Sequence, residues 1–335
     1  MRARHFVAVA VAALVASVAT PVAQATTRPE GPVVTSLATF GTGYASGSTV
    51  GPDGALYVTD PNAGSVLRVD RRTGAVTTFA DGLPPQVLGI GGAMDVAFLG
   101  HTAYVLVTMV GGDIVGGPRI GEDTVGIYRL GRDGHFRVFA DIGAWSVENP
   151  PTTDYFITTG VQYALQPHGR GFLVTDGHHN RVLRVNRHGV VRELMTLGNV
   201  VPTGLATVGR TVLMAQAGPV PHLPENGKVL AFGPRSHTAF EVAAGASLLV
   251  DVELGEGSGL YALSQGQWDG VMEGSPAFPN TGRLVKVGRH GTLVPVEDRD
   301  GNELVLDRPT SLELVGDTAY VVGLAGTIVR IANLR

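Results

Sequence analysis

The chain has 335 residues, 44% hydrophobic, 16% charged and 6% aromatic, which is enough apolar content for a full core and too little charge for a disordered chain. Its 47 glycines follow no three-residue period, which excludes collagen, and a net charge of −4 presents no basic footprint to nucleic acid. Cysteine is absent, which excludes disulfides, thiolate metal sites, cysteine nucleophiles and a lipobox anchor.

Arg2 and Arg4 open the chain, and an apolar run fills residues 6–18. Pro21 and the small-x-small pattern Ala23-Gln24-Ala25 close it. This order predicts a secretory signal peptide over residues 1–25 and a secreted, extracellular mature chain. The run is too short to span a bilayer comfortably and no later stretch is longer, so no membrane attachment is expected after cleavage. Residues 26–32 read as a short flexible lead.

From residue 33 one grammar repeats. An apolar strand recurs at 56–60, 103–107, 172–176, 212–216, 260–264 and 319–323, with spacings of 40 to 69 residues. Another follows each time, at 66–70, 127–131, 182–186, 229–233, 284–288 and 328–332. Its central residue is Arg68, Arg129, Arg184, Ala231, Lys286 or Arg330 in turn. A cation between apolar neighbours is the period-two alternation of a strand with one wet face. Turns at Gly74, Gly134, Gly189 and Gly291 lead to one strand more, and no segment shows a helical period. Four strands in about 40 to 50 residues are the signature of a β-propeller blade. Six copies of the first three strands meet only five copies of the fourth, because the chain stops at Arg335. Residues 33–40 (VVTSLATF) resemble the fourth strand of the first blade (75–80, AVTTFA) and supply the missing one. The expected fold is an all-β, six-bladed β-propeller over residues 33–335, its ring closed by the N-terminal strand so that two sheet edges disappear.

Let the strands of each blade be a to d from the axis outward. Antiparallel succession then puts the b–c loops and the d-to-a crossings on one face. The long segments all fall there: b–c loops 108–125, 216–227 and 264–282, and the crossing 141–160. With the shorter b–c loops they carry eleven carboxylates against Arg119 and Arg181. Such a face attracts cations or cationic partners, or is simply a set of solvated loops, and long loops on a rigid scaffold are where function concentrates. Strand a lines the central channel, and its starts bring Asp95, Gln162, Thr203, Asp251 and Thr310 toward the axis. These oxygens suit a hard cation such as calcium, with Asp95 and Asp251 as its metal-binding carboxylates, or a polyol; a water-filled structural axis is the competing reading. Glu148 and Asn149, in the long crossing, are loop-face candidates for binding a ligand. Trp268, beside Asp269, offers a stacking surface for a sugar or aromatic ligand, or packs under its own loop. His178 and His179 are loop-face candidates for a metal or general-base role, but they are adjacent, so on extended backbone at most one reaches a shared site, and 176–180 reads more readily as an Asx-type turn at the surface. Neither a zinc signature H-E-x-x-H nor a G-x-S-x-G nucleophile elbow occurs.

Residues 201–206 (VPTGLA), 249–252 (LVDV) and 308–311 (RPTS), with Glu148-Asn149-Pro150 ahead of 172–185 (FLVTDGHHNRVLRV), resemble the ScyD/ScyE family. That family comprises secreted bacterial propellers related to NHL-repeat and gluconolactonase-like six-bladed folds. The resemblance covers the whole mature chain and implies the fold, but no assigned reaction. The sequence departs from the family's usual pattern at Thr158-Thr159 and at His178-His179. The expected function is a non-catalytic scaffold that binds a small molecule, a glycan or a protein on its acidic face. The alternative is a metal-dependent hydrolase or lyase. Lactonase-type propellers hold a divalent ion with Glu, Asn and Asp, and streptogramin-lyase types use His and Glu pairs; the starts of strand a here offer no Glu, Asn or His.

Overall fold

The computed structural model describes residues 31–334 apart from 41–43, 234, 256 and 258, so the leader read in residues 1–25 lies outside the described residues. Six antiparallel sheets, one per repeat, make a six-bladed propeller. Blade 1 runs Ser48–Val50, Leu56–Asp60, Ser65–Val69 and Val76–Ala80 from a to d. Blade 2 runs Gly92–Leu99, Thr102–Thr108, Gly126–Leu130 and Phe136–Asp141. Blade 3 runs Gln162–His168, Gly171–Asp176, Arg181–Val185 and Val191–Thr196. Blade 4 runs Pro202–Val208, Thr211–Gln216, Lys228–Phe232 and Phe240–Ala244. Blade 5 runs Leu249–Leu254, Leu260–Ser264, Gly282–Val287 and Leu293–Pro295. In blade 6, Pro309–Val315, Thr318–Gly323 and Thr327–Ala332 are completed by the N-terminal strand Val33–Thr39, which pairs antiparallel with Thr327–Ala332 and sets Thr35 opposite Arg330.

Strand b is covered on both faces by neighbouring blades, so Leu56–Asp60, Gly171–Asp176 and Thr318–Gly323 are buried at every residue. This explains their unbroken apolar runs. On strand c the repeated cation lies opposite the aromatic position of strand b: Tyr57 with Arg68, Tyr104 with Arg129, Tyr261 with Lys286, Tyr320 with Arg330. Strand d has its own rule. In five blades the c–d ladder slips at one equivalent place, passing over Phe79, Phe139, Leu194, Val242 or Leu37. A bulge re-aims the residue it passes over. Phe79 meets Tyr57 edge-on at 4.8 Å, and Phe139 meets Tyr104 at 5.2 Å, each within the apolar wedge that joins its blade to the next. There is such a wedge at every blade boundary, including that between blades 6 and 1, where Leu56, Val58, Tyr320 and Ile328 pack together.

Two local elements lie outside the sequence reading. The crossing 141–160 contains a helix, α1 (Ile142–Glu148), where no helix was expected. Asp141 caps it by accepting from the Ala144 amide at 2.8 Å, and Pro150-Pro151 follow its end. Loop 108–125 contains a small hairpin of Gly111–Asp113 with Arg119–Glu122. No helix among the described residues is long and apolar enough to cross a membrane.

Candidate functional site

Strand a carries a bulge in blades 2 to 6, and the bulge decides which side chains see the axis. Asp95, Asp251 and Thr310 line an axial channel of about 310 Å³. Gln162 and Thr203, expected there too, are outside that lining. Gln162 is fully buried, accepting from the Thr108 hydroxyl at 3.0 Å and donating to the Thr159 carbonyl at 2.9 Å. Thr203 donates to the Leu249 carbonyl of the next blade at 2.8 Å. Both side chains are engaged in ties between neighbouring blades.

The two aspartates form matching clamps. Asp95 Oδ1 accepts from the Val96 amide at 2.8 Å, and its Oδ2 accepts from the Leu165 amide of the next blade at 2.7 Å. Asp251 repeats this with Val252 at 2.9 Å and Leu312 at 2.8 Å. On the other side each carboxyl is pressed against a glycine of the preceding blade. A Cβ on Gly47 would lie 2.4 Å from Asp95 Oδ1, and one on Gly204 would lie 2.4 Å from Asp251 Oδ1. The carboxylates expected as metal ligands therefore direct their oxygens at backbone amides. Among the described residues no group of three or more His, Asp or Glu is placed to hold a metal ion.

Glu253 and Glu313 also line the channel, and inspection of strand starts missed them. The signal was present: a period-two step from Asp251 reaches Glu253, and one from Ser311 reaches Glu313. Desolvation raises all four carboxyls. It pushes Asp251 up to about 7 and Asp95 well above its usual range, and the neighbouring carboxylates add to it at Glu253 and Glu313. Among the described residues no Lys, Arg or His lines this channel.

A second cavity, of about 520 Å³, opens on the loop-rich face. Its wall is built by the crossing 152–156, by Gly177, His178 and Asn180 of the blade 3 b–c loop, by Asn199 and Val201 of the next crossing, and by Glu273 of the blade 5 b–c loop. A buried polar hub holds that wall. Arg181, 1% exposed, donates to the Asn149 carbonyl at 2.7 Å, to the Ser146 hydroxyl at 2.9 Å and to His179 Nδ1 at 2.9 Å, and covers the Trp145 ring at 4.8 Å. His179 Nε2 in turn donates to the Ile157 carbonyl at 2.9 Å. Burial raises the Asp176 carboxyl, but its contacts with His179 and Arg181 outweigh this and hold it below its usual value.

The histidine pair is thus no surface turn. His179 is fully buried and the His178 side chain is 6% exposed, although the Asx geometry is there, with the His179 amide donating to Asp176 Oδ1 at 3.2 Å. Adjacent residues do point apart: His179 faces the hub and His178 faces the cavity. His178 Nε2 accepts from the Phe156 and Ile157 amides at 2.9 and 3.0 Å. Its proton therefore sits on Nδ1, 3.5 Å from Glu273 Oε1. That contact holds the Glu273 carboxyl below its usual range. Trp268 packs under its own loop, donating to the Ser275 hydroxyl at 2.9 Å and meeting His222 edge-on at 5.8 Å. Glu148 and Asn149 end α1 and do not line the cavity. Val201 has a left-handed backbone (φ 53°), but Leu248 and Arg308 share it at equivalent entries to strand a, so it is a feature of the repeat.

No family model and no curated protein matches the chain. Solved structures do. A gluconolactonase from Xanthomonas campestris is 13% identical, with a TM-score of 0.58 and 89% of each chain covered. A virginiamycin B lyase from Staphylococcus aureus is 13% identical, with a TM-score of 0.51, over 90% of this chain and 99% of that one. An aldose sugar dehydrogenase from Streptomyces coelicolor, solved with bound PQQ, is 13% identical, with a TM-score of 0.51, over 90% and 98%. Likeness at this identity carries the propeller fold and no residue roles.

Proposed function

We propose that this chain is a secreted binding propeller that holds a small ligand in the cavity on its loop-rich face and performs no chemistry on it. The observation that carries this reading is the state of His178. Its Nε2 accepts two backbone amides and its Nδ1–H faces Glu273, so the ring offers no free nitrogen lone pair to take a substrate proton. What it offers is a fixed donor and, through it, a carboxylate held in place at the cavity edge. The leader of residues 1–25 and the resemblance to secreted ScyD/ScyE propellers fit an extracellular role. A metal-dependent hydrolase or lyase is the competing reading, and only fold likeness supports it. The experiment is a thermal-shift survey of the exported protein with small metabolites, glycans and divalent metals, paired with an assay for turnover of each hit. A ligand at a hundred times its dissociation constant stabilises the folded state by about 2.7 kcal/mol. The expected hit is metal-independent, is recovered unchanged, and is weakened by His178→Ala. Turnover of a hit, or a hit indifferent to His178→Ala, overturns the reading.

A further inference from the structure

We infer that the ligand of this cavity is a small organic cation, an ammonium group carried on an apolar or aromatic body. The inference rests on reading the cavity as a binding site. Among the described residues of its lining, the charged side chains are Asp154 and Glu273, both acidic, and no Lys or Arg joins them. Among the described residues, the surrounding b–c loops and the 141–160 crossing expose eight carboxylates, with Asp269 half-buried, against one exposed cation, Arg119. Charge of one sign around a concave mouth concentrates the opposite charge there. An anion would find no cationic partner in this wall. A bare metal ion would find two carboxylates where a hard cation wants about six to eight oxygens, and no set of three ligating side chains exists among the described residues.

The rest of the wall suits an organic body. Tyr155 and Phe156 bring aromatic rings to the lining, and a ring face attracts an ammonium group. Phe156 is held edge-on to His178 at 4.3 Å, so its position is set before any ligand arrives. Val271 and Met272, next to Glu273 in the chain, are 75% and 63% exposed. Exposed large apolar side chains beside a polar pocket mark a recognition surface. Thr153 adds a hydroxyl that is buried without a hydrogen-bond partner. It belongs to a residue of the same wall, where an unsatisfied buried hydroxyl carries a cost that a rearrangement on binding would relieve. A volume of about 520 Å³ holds a molecule of metabolite size.

The test uses three probes of one shape on the full mature chain: phenethylammonium, phenethyl alcohol and hydrocinnamate, followed by ligand-observed saturation-transfer NMR. The expected result is binding of the ammonium probe, with the alcohol at least about tenfold weaker and the carboxylate unbound. Glu273→Gln, on an exposed loop, should weaken the ammonium probe about tenfold and leave the melting temperature in place. If the alcohol or the carboxylate binds as tightly as the ammonium, the cationic class is wrong while the cavity stands as a binding site. Binding of the ammonium unchanged in Glu273→Gln also overturns the inference. If none of the three binds, the inference falls, while the metabolite and glycan survey decides the binding reading separately.

Discussion

At the scale of single residues, the channel aspartates are held by two opposing effects. Their backbone hydrogen bonds favour the charged form, and burial opposes it; at Asp251 burial wins and moves the carboxyl from 3.8 to about 7. The folded state then binds more protons than the unfolded chain between those values. The stabilising contribution of protonated Asp251 is present at low pH and is lost as pH rises through about 7. Melting temperatures measured from about pH 5 to 8 should fall with pH, and Asp251→Asn should flatten that slope whatever it does to absolute stability. An unchanged slope would remove Asp251 from the account. The glycine beneath the same carboxyl gives a steric test. Alanine at Gly204 would place Cβ 2.5 Å from the Asp251 Cα, so Gly204→Ala should cost about 1–3 kcal/mol in denaturant melts. Gly198, with nothing within 4 Å of a Cβ, is the control and should change by less than about 0.5 kcal/mol. Asp95 and Asp251 were legible as channel residues because they stand near the starts of strand a, the innermost strand. Their clamps were not, since the partners Leu165 and Leu312 lie 70 and 61 residues away in the chain.

Among the elements, the crossing 141–160 shows where reading stopped. Its helix had local signals, Asp141 as cap and Asn149-Pro150-Pro151 as stop, but at seven residues it is too short to display a helical period. The wall of the cavity was less legible still. It is assembled from segments of four different loops, and what holds it is a buried arginine. Arg181 looked like one of two cations on an acidic face; in the fold it is 1% exposed and bonds α1 at Ser146 and Asn149. Truncating one partner of a buried charged network leaves the other unpaired, which costs about 3–5 kcal/mol. Arg181→Ala should therefore destabilise the protein by about that amount. Hydrogen exchange should show protection lost first in α1 and the cavity wall, because those groups lose their partner directly. Protection lost evenly across all six blades would mean that Arg181 serves the blade core rather than the wall.

On the scale of the whole molecule, the fold was legible because six imperfect copies overdetermine one blade, so each departure in one copy is read against five others. The same redundancy identifies the N-terminal strand as a true fourth strand. It pairs with the last blade, as residues 33–40 predicted. It slips its register between Ser36 and Ala38, where the other d strands slip, so Leu37 occupies the position of Phe139 and Val242. It also makes the same contact with the next blade. A Cβ on Gly189 would lie 2.0 Å from the Phe139 carbonyl oxygen, and one on Gly291 would lie 2.8 Å from that of Val242. One on Gly74 would likewise lie 2.0 Å from that of Leu37. The glycine turn of each of these blades thus sits on the bulge of the blade before it, and blade 1 sits on the N-terminal strand as the others sit on covalently continuous neighbours. Removing residues 26–40 would open the Thr327–Ala332 edge and uncover the wedge between blades 6 and 1. Such a deletion should lower the melting temperature sharply and produce aggregates by size exclusion. Leu37→Ala is the gentler form, since it removes one part-buried side chain from that wedge and leaves the ladder intact. It should cost about 2 kcal/mol, as a core truncation does, and raise the unfolding rate. If the melting temperature is unmoved by either change, the strand rests on the last blade without closing the ring.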